Sequence, residues 1–162
     1  MTDSGGARVD SASRLVLAPP DAIYRAFIDP EALVRWLPPA SMTGRIDRFE
    51  PRPGGRFDMT LTYDEPGAAT HGKSSEDSDI VRGRFVELDP GRRIVQIFAF
   101  DSPDPAFAGE MRMTWAFEAE AAGTRVTVHA QDVPSGIGPK DHELGMRSSL
   151  ENLAAFVERR DL

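Results

Sequence analysis

The sequence predicts an α+β fold: a curved antiparallel sheet of about seven strands wrapped around one long C-terminal helix, with two short helices after the first strand. Three observations carry this. Segments of strand composition or period-two alternation recur through the middle of the chain. The turns that join them are of hairpin length, which antiparallel pairing needs and parallel pairing forbids. The last stretch, from Pro139, instead repeats its apolar residues at helical spacing. The sheet has one apolar face, and that helix is the element available to cover it. At 162 residues the chain is long enough for one domain with a substantial core. Residues 1–7 read as a disordered tail and 8–162 as that single domain.

In chain order, Val9 to Ala18 has strand composition and is stopped by Ala18-Pro19-Pro20-Asp21. Pro20 suits the first turn of a helix, where a missing N–H is harmless. Ile23, Ala26 and Phe27 follow at helical spacing, and Asp29-Pro30 ends the run because a residue before proline is pushed out of the α region. Leu33, Trp36 and Leu37 mark a second short helix before Pro38-Pro39. Ile46 and Phe49 belong to one strand and Phe57, Met59, Leu61 and Tyr63 to the next, across the turn Pro53-Gly54-Gly55. Ile80 to Leu88 and Arg93 to Phe100 pair through Asp89-Pro90-Gly91. Met111, Met113, Trp115 and Phe117 alternate with polar residues, as do Val126 and Val128 after Ala122-Gly123-Thr124. The final helix carries Met146, Leu150, Leu153 and Val157 on one face, with Glu143–Arg147 and Arg147–Glu151 as opposite-charge pairs. Asp141 and Glu143 at its start, and Arg159 and Arg160 at its end, suit the helix dipole.

Two residues of that helix depart from a plain core stripe. Gly145 is unfavourable by about 1 kcal/mol relative to alanine in a helix interior, which implies a close backbone approach. Ser149 falls on the apolar face. It either bonds back to a carbonyl one turn earlier or faces a cavity. The segment Asp64 to Asp79 holds five acidic residues and one lysine, and reads as a long, solvated, mobile hairpin loop.

Charge and composition exclude several functions. With 19 basic and 26 acidic residues the net charge is −7, which argues against binding nucleic acid or an anionic membrane surface. The absence of cysteine removes disulfides, thiolate metal sites and a cysteine nucleophile. Met1 to Ala7 is polar with no apolar h-region, and no apolar run reaches the ~18 residues that span a bilayer, so the expected location is cytoplasmic. His71, His129 and His142 lack the spacing of a zinc site, and no metal or cofactor is expected. There is no nucleophile elbow, no P-loop and no dinucleotide fingerprint, since Gly136-Ile137-Gly138 lacks both the strand and the third glycine. No catalytic residue is identified, and enzymatic activity is left open with the balance against it.

The order of elements and a set of short motifs resemble the helix-grip fold of the START-like, Bet v 1-like superfamily. More narrowly they resemble the activator-of-Hsp90-ATPase-homologue (AHSA1-like) branch of the SRPBCC proteins. The residues are Ala18-Pro19-Pro20, Tyr24-Arg25-Ala26-Phe27 with Asp29-Pro30-Glu31, and Arg35-Trp36-Leu37-Pro38. Further on come Arg52-Pro53-Gly54-Gly55-Arg56-Phe57, Arg82-Gly83-Arg84-Phe85 with Glu87, and His142-Glu143-Leu144-Gly145 leading into Ser149-Leu150-Glu151-Asn152-Leu153. The likeness runs from about Arg8 to Glu158. Where the family commonly has tryptophan, this chain has Leu37 and Met146.

The resemblance implies a pocket between sheet and helix that holds a small apolar or amphipathic molecule. Strand and helix periods direct Trp36, Met59, Phe85, Phe98, Met113, Trp115, Met146 and Ser149 inward, and these are the expected lining. A flexible methionine and a small serine beside rigid aromatic walls suit a ligand with one hydroxyl or carbonyl. Two other functions are carried by the superfamily: a cyclase- or dehydratase-like enzyme using the same pocket, and a co-chaperone-like partner of an Hsp90-type ATPase. A homodimer is left open.

Overall fold

The computed structural model describes residues 8–38, 42–64 and 78–159. The elements are β1 (Val9–Val16), α1 (Pro20–Phe27), α2 (Pro30–Trp36), β2 (Met42–Phe49), β3 (Arg56–Tyr63), β4 (Ser78–Asp89), β5 (Arg93–Phe100), β6 (Met111–Glu120), β7 (Gly123–Gln131) and α3 (Pro139–Arg159). The predicted tail 1–7, most of the acidic segment (65–77) and Arg160 lie outside the described residues.

Proline sets both short helices. Pro20 and Pro30 each occupy a first-turn position, and the Asp29 carboxylate caps α2 by accepting from the Glu31 N–H at 3.0 Å. Gly54, in the turn before β3, takes φ +82°, a backbone conformation that a side chain resists. The strands form one antiparallel sheet in the order β1-β7-β6-β5-β4-β3-β2. Sequential strands β2 to β7 are neighbours, while β1 returns to pair with β7. The chain therefore leaves one edge at β1 and re-enters at the opposite edge at β2, and α1 and α2 make that crossing. This is a curved open sheet gripping one long helix: the α+β helix-grip fold.

The inner face carries the core. Phe27, Trp36 and Trp115 pack edge-on around one another, with centroids of Phe27 and Trp36 4.7 Å apart and of Trp36 and Trp115 5.9 Å apart, and Phe117 lies tilted against Phe27. Both buried indoles have partners: Trp36 donates to the Ala26 carbonyl and Trp115 to the Gln96 side chain, each at 2.9 Å. Phe49, Phe57 and Phe85 form a second aromatic group near the turn before β3. Gly83 stands beside Phe98 in the neighbouring strand, and a Cβ there would sit 2.5 Å from the Phe98 ring, so only glycine lets that ring lie flat on β4. On α3, Leu150, Leu153, Ala154 and Val157 are buried in the same core.

Candidate functional site

Not all of the inner face is filled. Between the sheet and the first half of α3 lies a pocket of about 180 Å³. Among the described residues its walls come from Met59 and Leu61 of β3, Val81 of β4, Phe98 and Phe100 of β5, and Met111, Met113 and Trp115 of β6. Leu37, after α2, closes one side, and His142, Gly145, Met146 and Ser149 of α3 form the roof. The roof follows from helical spacing, because positions 142, 145, 146 and 149 recur at i, i+3, i+4 and i+7. The strands contribute alternate residues for the same reason.

The lining expected from sequence therefore divides. Met59, Phe98, Met113, Trp115, Met146 and Ser149 stand together on the pocket wall. Trp36 and Phe85 do not, and are fully buried in the core. Trp36 is held in the Phe27–Trp115 cluster by its bond to Ala26. Phe85 stacks on Phe57 at a centroid distance of 5.6 Å. It lies four residues along β4 from the lining residue Val81, about 13 Å at the rise of a strand.

On α3 the expectation for Gly145 is corrected, and of the two readings of Ser149 the one that faces a cavity agrees with its place on the pocket wall. Gly145 makes no close approach: a Cβ built there meets nothing within 4 Å. The space in front of it is the pocket. Ser149 does not bond back along its own helix. Its hydroxyl donates to the Leu37 carbonyl at 2.7 Å, and Asn152 donates to the Pro38 carbonyl at 3.1 Å. These are carbonyls at the end of α2, where helices leave acceptors unpaired. Ser149 thus lines the pocket and also ties α2 to α3.

His142, which the sequence marks only as a histidine without metal-site spacing, stands on the pocket wall. Its Nδ1 lies 2.8 Å from Asp10 Oδ2 of β1, and their side chains are 13% and 8% exposed. Arg8 holds the same carboxylate through Nε at 3.1 Å and Nη2 at 2.7 Å. The Arg8 hydrogen bonds keep the Asp10 carboxyl below its ordinary pKa of 3.8 against the opposing push of burial, and the bond from His142 adds to the effect. An ionised carboxylate only accepts, so Nδ1 carries the proton and donates to Asp10. In the neutral ring Nε2 is then an acceptor that no described residue uses. The signal available in sequence was the shared stripe of His142 with Met146 and Ser149; the partner Asp10 is 132 positions away.

The depressed Asp10 pKa has a signed consequence. Its stabilisation is fully present above the ordinary value of 3.8 and is lost as the pH falls through the lower folded value. Asp10→Asn should cost about 1.5–3 kcal/mol at pH 7, the range for hydrogen bonds to a charged group. The deficit should shrink as denaturant titrations are repeated at pH values below 3.8. A deficit independent of pH would show that the charge on Asp10 contributes nothing. Among the described residues no cluster of three or more His, Asp or Glu side chains is placed to hold a metal ion. No helix among them is long and apolar enough to cross a membrane.

Comparison with known proteins places this architecture. The family model for activator of Hsp90 ATPase homolog 1-like proteins matches residues 17–158. A crystallised protein of Chromobacterium violaceum is 32% identical, with a TM-score of 0.82 over 93% of this chain and 96% of its own. An AHSA1-like protein of Aeromonas hydrophila shares the fold at 20% identity, with a TM-score of 0.70 over 95% of this chain and 94% of its own. A protein of Mesorhizobium loti does so at 20% identity and a TM-score of 0.71, over 96% and 100% of the two chains. A search among curated proteins finds no match.

Proposed function

The chain belongs to the family of activator of Hsp90 ATPase homolog 1-like proteins, and from that premise we propose that it binds a small apolar or amphipathic molecule between the sheet and α3, residues 8–162 acting as one domain. The observation that carries this reading is Gly145. A glycine inside a helix is unfavourable by about 1 kcal/mol relative to alanine. Nothing within 4 Å of its missing Cβ requires it. What glycine does there is leave room under the helix, facing methionine and aromatic walls. Such a lining, mostly apolar with a few polar groups, is the usual make-up of a small-molecule site.

One observation supports a second reading, proton-transfer chemistry in the same pocket: a histidine fixed by a carboxylate stands on its wall. For a partner of the Hsp90 type, the support is the family's name.

The test is native mass spectrometry of the purified protein for a retained small molecule, followed by a screen of apolar compounds that are dark where tryptophan is excited. Binding should change the emission of Trp115, which lines the pocket, and the response should survive Trp36→Phe. At a hundredfold excess over Kd the melting temperature should rise by roughly 5–10 °C. A broad screen that moves neither signal would overturn the proposal.

A further inference from the structure

Resting on the reading of the pocket as a ligand site, we infer that its ligand is a one-ring apolar molecule bearing a phenol-like hydroxyl, and that His142 Nε2 accepts the hydrogen bond from that hydroxyl. Among the described lining residues, hydrogen-bonding side-chain N or O atoms belong to Trp115, His142 and Ser149. The Trp115 N–H is committed to Gln96, and the Ser149 hydroxyl to the Leu37 carbonyl. The imidazole Nδ1–H is committed to Asp10, which Arg8 keeps in place and ionised. With the imidazole neutral, every donor of the described lining side chains is therefore used. What remains free is acceptor capacity, on His142 Nε2 and on the lone pairs of Ser149.

A ligand oxygen that can only accept, as in an ether or ketone, would lose its water and gain no donor from these side chains. Burial without a compensating bond is unfavourable. A hydroxyl supplies the donor that the wall lacks. The more acidic the hydroxyl, the better it matches an imidazole acceptor, which favours a phenol over an aliphatic alcohol. Size agrees: an apolar cavity of roughly 150 Å³ admits benzene, and this pocket is about 180 Å³. Asp10 is a positioning residue, since it fixes which nitrogen of His142 faces the ligand.

Calorimetric titration of the full chain with p-cresol, 4-methylanisole and p-xylene separates the possibilities. The three share one ring and differ in carrying a hydroxyl, an ether oxygen or no oxygen. The wild-type protein should bind p-cresol at least tenfold more tightly than 4-methylanisole. His142→Leu should erase that preference while p-xylene binding persists. Asp10→Leu removes the acceptor that holds the proton on Nδ1 and frees it to move to Nε2, so the preference should fall or invert toward the ether. A purely structural role for Asp10 would leave the ratio unchanged. Equal binding of p-cresol and 4-methylanisole by the wild type, or a preference that survives His142→Leu, overturns the inference while p-xylene binding keeps the pocket. Binding of none of the three overturns the pocket reading as well.

Discussion

Leu153→Ala should destabilise the protein by roughly 2–5 kcal/mol, the range for removing a buried leucine and leaving a cavity. Leu153 is 0% exposed and lies midway along the core side of α3, between Leu150 and Val157 and beside Ala154. This part of the face is buried in the core, unlike the turns nearer the start of the same face, which roof the pocket. Alanine keeps helix propensity, so the loss would report packing rather than backbone preference. Denaturant titration measures it, read as a shift in midpoint at unchanged slope. A loss below about half a kcal/mol would mean that neighbours collapse into the space or that Leu153 is not core, and the placement of α3 over the sheet would fall.

How far the sequence led can be judged from the same helix. Met146, Leu150, Leu153 and Val157 are all buried, as their spacing requires, because one face of an amphipathic helix has only one place to go. The strands were equally legible: Phe57 and Met59, or Met113 and Trp115, alternate inward because a pleat leaves no other choice. Periodicity assigns a face, but it does not say where along that face a residue falls. Phe85 and Val81 share an inner face of β4, yet the register of β4 against β3 and β5 sends one into the Phe49–Phe57 aromatic group and the other onto the pocket. Trp36 was misplaced for a related reason: its depth depends on how α2 docks against Trp115, a contact 79 positions distant in the chain. Asp10 and His142 gave still less warning. Each is an ordinary polar residue alone, and only the pairing of β1 with β7 beneath the start of α3 makes them a unit.

Gly145→Leu should leave the fold intact and abolish ligand binding by about a hundredfold or more. The two halves of that expectation come from one observation, that nothing lies within 4 Å of where the Cβ would stand. Stability should hold or rise by up to about 1 kcal/mol, because leucine is a far better helix former than glycine. Its four carbons would enter a pocket of about 180 Å³, beside Met146 and facing Phe98 and Met113. Excluding on the order of 100 Å² of ligand surface from burial removes about 2.5 kcal/mol, close to a hundredfold in affinity. This site is a sharper probe than Ser149, whose replacement would also strip the Leu37 carbonyl of its donor and mix two effects. Thermal melts and titration with p-xylene read the two halves separately. A variant that unfolds would show that the space under α3 is closed by packing. A variant that melts normally and binds p-xylene as the wild type does would place the ligand elsewhere, and the function argued from Gly145 would fail with it.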